Sequence, residues 1–479
     1  HLQDSGRIYE EFQENRRTFI DAKFKSPKSI GLVRYEEITD PRVALELFEP
    51  FPPLLQEIAG FGNAMIYGHR GSGKSTYLAS LAYFPEVSRP IVDVREKFGV
   101  FFACRQGEFK QFATDLLEFS PMTKASIKHI IILKIIRRII DTLRSAVEFK
   151  KLNDPEDYGA LHEYLVTYVA DGAMLHYDRE LISPLENLHA SLLRNEILEI
   201  DKLFRTEHIA SHEKKYLDER RLIEFIEVIR HVFRELRKTQ FYILFDDAGS
   251  PNVSQDTQRI FNDIIRCVNS NYCVKLSAER YSYEFQDASG KQLEAPHDYV
   301  SFDISATLCL GSGLQPERVE LQRYFEKILH RRLAHSNYKS RDIAEYLGRE
   351  LTTANKLVVG LAQGKEDAYY CGWDVVWQLS DRTPRHLLEL ISDIFSAAGV
   401  TADSDPQLIP LRTQHLAIRS FSEKKLKSLA FMPGVVRIHG IEHALGTMLY
   451  DFTAAFGKIA RLYLTRHTVA SKRRPRYDE

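Results

Sequence analysis

The sequence is short of cysteine, of net charge and of long apolar runs, and each shortage removes a class of protein. Its 479 residues include five cysteines, Cys104, Cys267, Cys273, Cys309 and Cys371. The number is odd and no pair has CxxC spacing, which argues against a disulfide framework or a zinc site and for a reducing cytosol. The cysteines are expected to be buried thiols acting as small hydrophobes. Lys and Arg total 65 against 66 Asp and Glu, so no global field draws the chain to nucleic acid or to a membrane. Any basic surface has to be local. The most apolar stretch, Ile130 to Ile140, is broken by Lys134, Arg137 and Arg138. It falls short of the roughly 20 apolar residues of a membrane span and reads as a core helix. No secretory leader is visible, and a chain that opens on His1 says nothing about targeting. An LSGGQ-like signature is missing, which excludes the ABC and SMC-type ATPases. HEXXH and any arranged nucleophile set are missing too, which excludes a peptidase.

What is there is ordinary globular composition, 44% hydrophobic and 27% charged. The length exceeds one compact core, so about two to four domains are expected. Gly6 to Ala22 has helical spacing and many charges and reads as an amphipathic arm. Short strands are expected at Asn63 to Tyr67, Ile91 to Val94, Gly99 to Cys104, Phe241 to Phe245 and Tyr272 to Ser277. From Phe109 to about Lys238 the apolar spacing is helical throughout. Beyond Ser301 the chain is mostly helical again, with amphipathic segments at Pro316 to His335, Arg341 to Leu351 and Pro384 to Ser396. Thr401 to Pro410 is rich in Asp and Pro and reads as a linker.

The chemistry sits in the segment from Gly68 to Thr76, GHRGSGKST, which satisfies GxxxxGK[ST]. A strand precedes it and a helix follows, the order a phosphate-binding loop requires. Gly68, Gly71 and Gly73 allow backbone torsions that a side chain forbids, so that the amides of Gly68, His69, Arg70, Gly71, Ser72 and Gly73 can wrap a phosphate. The following helix aims its positive end at the same place. Lys74 reaches the β- and γ-phosphates, the Ser75 hydroxyl coordinates magnesium, and Thr76 follows as the next residue of the nucleotide-binding segment. His69 reads as a variable loop position. The implied ligands are ATP and Mg2+.

A second motif, FYILFDDAG, is a buried parallel strand with two carboxylates at its C-terminal end, where α/β sheets bind ligands. Asp246 is expected to hold magnesium through its water shell, and Asp247 to orient or deprotonate the attacking water. A small-molecule kinase needs no such second carboxylate, so the pair favours hydrolysis.

GHRGSGKST, FYILFDDAG, YCVKLSAER and DRTPRHLLEL, in this order, resemble the AAA+ ATPases, and among them the origin-recognition (ORC/CDC-like) ATPases and their bacterial relatives. The resemblance spans Ile30 to about Val400. It implies an α/β P-loop core on a parallel sheet, here residues 1–310, into which the helical spacing of residues 109–238, lying between the two halves of the nucleotide site, reads as an insertion. A helical lid over 311–400 and a small C-terminal helical or winged-helix-like region over 401–479 follow. It gives Ser277 the place of a γ-phosphate sensor and Arg385 that of a lid arginine. An arginine reaching into a neighbouring subunit's site is sought first in Arg280 and then in Arg266. Two features depart from the family: Asp247 stands where Glu is usual, and the helical block separates Lys74 from Asp246.

Two roles remain open. One is a DNA-associated nucleotide switch, with residues Leu411 to Tyr463 and the basic tail Lys472, Arg473, Arg474 and Arg476 as candidates for DNA contact, although no β-wing pattern is visible. Against that contact, the tail reads as a solubilising end. The other is an ATP-gated scaffold or sensor of a prokaryotic anti-phage defence complex, using residues 109–238 to hold a protein partner. Either is expected to be cytoplasmic and without a membrane segment. Both are expected to form a homo-oligomer or hetero-complex through AAA+ interfaces.

Overall fold

The computed structural model of the chain describes residues 41–84, 96–112, 121–169, 184–204, 216–267, 269–309, 318–349, 356–357, 359–360, 369–438 and 441–470. The expected arm at Gly6 to Ala22, the strand at Ile91 to Val94 and the basic tail from Ser471 lie outside these residues. The chain divides into two units, one spanning Ile38–Gln315 and one from Pro316 onward.

In the first unit α1 (Pro41–Glu46) and α2 (Pro52–Ile58) lead into β1 (Ala64–Tyr67), and α3 (Lys74–Leu81) follows the glycine-rich loop. Then come β2 (Lys97–Ala103) and, after the helical block, β3 (Gln240–Asp246), β4 (Tyr272–Ala278) and β5 (Val300–Asp303). The five strands form one parallel sheet in the order β2-β3-β4-β1-β5. Strand β4 is buried along its whole length and β3 nearly so, as expected of strands covered on both faces. Phe102, Phe109, Phe245 and Phe261 pack as an aromatic cluster, Phe245 stacked on Phe261 at 4.2 Å between centroids. The sequence reading has no strand at β5. Its four residues carry only Val300 and Phe302 as apolar signal, and an edge strand needs no more.

Between β2 and β3 lie four helices, α4 (Pro121–Glu148), α5 (Gly159–Tyr168), α6 (Pro184–Phe204) and α7 (Glu219–Val232). The charges that interrupt the apolar run of α4 serve its packing. Lys134 and Arg137 both bind Glu196 of α6, the Arg137 Nε at 2.7 Å, so a buried carboxylate is met by two cations. Arg138 pairs with Glu108 at 3.0 Å. Lys128 joins Glu219 of α7 at 2.8 Å and Asp263 at 2.6 Å, the latter on α8 (Gln255–Arg266). The block is thereby fastened to the helix that connects β3 to β4.

Towards the N-terminal ends of the strands, two lysines close the end of α2. Lys97 Nζ donates to Ala59 O at 2.7 Å and Lys275 Nζ to Gly60 O at 2.6 Å, each with the Tyr242 ring beside it. The Tyr242 hydroxyl donates to the same Ala59 carbonyl at 3.1 Å. Cations suit a helix C-terminus, which leaves carbonyls without intrahelical partners. Burial lowers the Lys275 pKa to about 8. After β5 the short helix α9 (Ile304–Cys309) ends the described part of this unit.

The second unit holds α10 (Arg318–His335), α11 (Ile343–Leu347), α12 (Trp373–Leu379), α13 (Pro384–Ala398) and α14 (Leu411–Leu429). The expected linker is irregular but pinned, since buried Ile409 donates its N–H to Tyr346 O at 2.8 Å and Lys339 holds Asp405 at 2.7 Å. After α14 comes an antiparallel pair, β6 (Val435–Ile438) and β7 (Ile441–Ala444), and then α15 (Leu445–Ala470). The sequence reading takes this stretch as helical and finds no β-wing. Four-residue strands are too brief to impose a visible alternation. Among the described residues no helix is long and apolar enough to cross a membrane.

Candidate functional site

Strand β1 ends at Tyr67 and the loop from Gly68 to Gly73 runs straight into α3. Gly73 sits at the helix N-cap with φ 100°, a torsion that costs other residues. A Cβ on Gly68 would lie 2.5 Å from Ser72 Oγ, so the loop closes only over a glycine. Within it the Ser72 N–H donates to His69 O at 3.1 Å. Buried Lys74 donates its ammonium to Gly68 O at 2.7 Å and His69 O at 3.2 Å. Ser75 and Thr76 occupy the next positions of α3, and His69 and Arg70 are exposed. The Ser72 hydroxyl is buried without a hydrogen-bond partner. The His69 N–H donates to Ser305 Oγ at 2.7 Å, so α9 braces the loop.

The carboxylates arrive at the same edge through strand register. Ile66 of β1 pairs with Ser277 of β4, and Phe245 of β3 pairs with Leu276. The intervening strand therefore sets Ser277 between the loop and the acids. Its hydroxyl donates to Asp246 Oδ1 at 2.6 Å and accepts the Asp247 N–H at 2.8 Å. Asp246 is buried, whereas Asp247 is half-buried and has left-handed backbone with φ 53°. Arg105, in the single turn Cys104–Gln106 after β2, brings its Nε to 3.9 Å from Asp247 Oδ2. The Asn252 side chain holds that turn at Arg105 O, 2.7 Å away. Glu108, the partner of Arg138 on α4, accepts the Ala103 N–H at 3.3 Å in the same turn. Burial first, then the Glu108, Asp246 and Asp247 carboxylates, push the Cys104 thiol well above its ordinary pKa. A thiol so placed is packing, not a nucleophile.

The residues present fit a magnesium nucleotide. A glycine cradle with a buried hydroxyl lacking a partner, a buried ammonium resting on loop carbonyls and a helix N-terminus face the site of an anion. Ser75 and Asp246 supply hard oxygens of the kind magnesium takes one or two at a time beside substrate phosphates. Among the described residues no cluster of His, Cys, Asp or Glu would hold a metal by itself.

The loop, Asp246, Asp247 and Ser277 are thus gathered in the first unit. Arg280 lies beyond β4, largely exposed, with its guanidinium 3.8 Å from Asp303. Arg266 is committed within the chain, to Asp287, to Gln292 O at 2.8 Å and to Asp298 at 3.8 Å. Arg385 opens α13 in the second unit, directly after a turn in which Asp381 and Arg382 both have φ 52°. Sequence reasoning misses Arg105 and Ser305. Arg105 was within reach, because it follows directly on the strand that neighbours the acid-bearing one. Ser305 carried no signal, 236 residues from the loop amide it accepts.

Compared with known proteins, the chain matches the family model described as ORC-CDC6-like, over residues 29–359 and 354–474. No curated protein and no solved structure matches it.

Proposed function

The chain belongs to the ORC-CDC6-like family, and on that premise we propose that it is a magnesium-dependent ATP hydrolase of AAA+ type acting as a nucleotide-driven switch on DNA. The observation that carries the chemistry is the Ser277 hydroxyl, shared between Asp246 and the Asp247 amide at 2.6 and 2.8 Å. It fixes two adjacent carboxylates in different surroundings beside a phosphate loop.

In this reading the loop amides and the N-terminus of α3 hold the phosphates, and Lys74 exchanges its loop carbonyls for phosphate oxygens. Ser75 and Asp246 would hold magnesium, which when bound neutralises charge on the phosphate oxygens. Asp247 takes a proton from water as the water oxygen bonds to the terminal phosphorus and the anhydride electron pair leaves with ADP. Ser277 is the positioning residue. Arg280 is assigned to a neighbouring subunit's site, because its exposure leaves it accessible and Arg266 is spent on internal contacts. Arg385 is assigned to the lid.

The DNA part rests on charge. Residues 411–470 hold nine Lys or Arg against three Asp or Glu in a chain whose net charge is −1. A helix, a two-stranded hairpin and a helix there carry a basic excess suited to phosphate contacts. A second reading, a partner-gated sensor, is supported by the fastening of α4. Arg138 reaches Glu108 in the turn that presents Arg105 to Asp247, so a partner on the helical block has a short path to the proposed base. Steady-state ATP hydrolysis by wild type and Lys74→Ala, with and without double-stranded DNA at two salt concentrations, separates the readings. Stimulation by DNA that fades with salt supports the switch on DNA. Turnover indifferent to DNA overturns it in favour of the sensor.

A further inference from the structure

Strands β1 and β5 end side by side and part at the phosphate loop. Their register sets Asp303 opposite Tyr67, the last residue of each strand. Two residues further on, His69 and Ser305 meet again, but β5 has by then turned into α9. In a continuing parallel ladder the His69 amide would be met by a main-chain carbonyl. Here the Ser305 hydroxyl takes that place and accepts the His69 N–H at 2.7 Å. Asp303 makes the turn. Its Oδ1 accepts the Ala306 N–H at 2.9 Å, as a helix cap does, and its carbonyl accepts the Thr307 hydroxyl at 2.9 Å. Ser305 is buried. A Cβ on Gly68 would lie 3.2 Å from Ser305 Oγ and 2.5 Å from Ser72 Oγ, so both hydroxyls close on the first residue of the loop.

We propose that Ser305 is a positioning residue of the nucleotide site, which holds the first turn of the loop in the shape that receives phosphate. The inference rests on the nucleotide reading above. Without nucleotide, Lys74 also holds this turn, through Gly68 O and His69 O. An ammonium is drawn to phosphate oxygens and gives up those carbonyls. A neutral hydroxyl that accepts an amide is not drawn away, so the Ser305 bond persists in the loaded site. A loop held in its bound shape loses less freedom on binding, and a ligand leaves it more slowly. Ser305 thus acts on how tightly the phosphates are kept. It does not touch Asp246 or the Asp247 amide, which Ser277 holds.

Titration of the full chain with magnesium and a fluorescent ADP, followed by timed release into excess ADP, tests this. Ser305→Ala should weaken binding about 10-fold, mostly through faster release. In ATP hydrolysis KM should rise, with a much smaller change in kcat. Ser305→Thr, which keeps the hydroxyl, should regain most of the affinity. Thr307→Ala removes another buried hydroxyl bond from the same helix without touching the loop. It should lower the melt of the nucleotide-free chain as Ser305→Ala does, yet bind ADP as the wild type does. Wild-type ADP affinity in Ser305→Ala overturns the proposal. Equal weakening in Thr307→Ala does so too, because loosening α9 is then enough. A fall in kcat at unchanged KM would place Ser305 in the chemistry instead. If Ser305→Thr melts like the wild type but binds as poorly as Ser305→Ala, the hydroxyl is not what matters and the proposal fails. A wild type that binds no ADP at all is a different failure, that of the nucleotide reading itself.

Discussion

The two ends of the parallel sheet both bury charge, and they do so to opposite effect. At the N-terminal ends, Lys97 and Lys275 finish on the fixed carbonyls of Ala59 and Gly60, against the Tyr242 ring. At the C-terminal ends, Lys74 rests on carbonyls of a loop, the Ser72 hydroxyl has no partner, and two carboxylates stand side by side. The first end is a closed fastening whose members satisfy one another. The second keeps hydrogen-bonding capacity in reserve, which a folded protein does at a cost of roughly 1–3 kcal/mol per buried group and retains where a ligand restores it.

Substitutions at the two ends should therefore act on different observables. The largest effect is expected from Lys74→Ala, with turnover falling about 100- to 1,000-fold or binding lost, read by hydrolysis and nucleotide titration. Asp247→Asn should keep nucleotide binding while turnover falls about 100-fold or more. If Asp247→Asn turns over normally, the base is another group. Ser277→Ala strips a partner from buried Asp246 and from the Asp247 amide, so the denaturation midpoint should drop by the equivalent of about 1–3 kcal/mol, with slower turnover. Arg105→Ala is expected to raise basal kcat a few-fold at unchanged KM, since the guanidinium now stands against the base, and Arg105→Lys should restore most of the wild-type value. At the closed end the effect is on pH dependence alone. Lys275 titrates near 8 in the fold against an ordinary 10.5, so between these values the unfolded chain binds the extra proton and stability rises with pH. Lys275→Met should flatten that rise in urea midpoints without touching hydrolysis. A flattened slope together with altered turnover would erase the distinction between the two ends.

The open end was largely legible in the sequence and the closed one was not. GHRGSGKST and FYILFDD announce themselves because phosphate binding constrains consecutive residues. Their meeting is dictated by parallel strands that all end at one edge. Ser277 was reached only through the family resemblance, which looks for a polar residue at the end of that strand. Lys97, Tyr242 and Lys275 come from three strands and meet only through register, so no local pattern marks them. Arg137 looked like an interruption of an apolar helix, since Glu196 lies 59 residues away. The hairpin and β5 were lost for another reason, because four residues hold too few turns of any period to be recognised.

The backbone at Asp247 bears on why an aspartate stands there at all. At φ 53° a residue with a short polar side chain is strained least, because its carboxylate can bond locally, and a longer acid gains nothing from that relief. Asp247→Glu, a conservative exchange by charge, is then a change of backbone fitness. Restoring the commoner acid would ask the turn after β3 to relax, and with it the hydrogen bond to Ser277. In this chain the identity of the acid and the shape of the turn are coupled, so that a change of one calls for a change of the other.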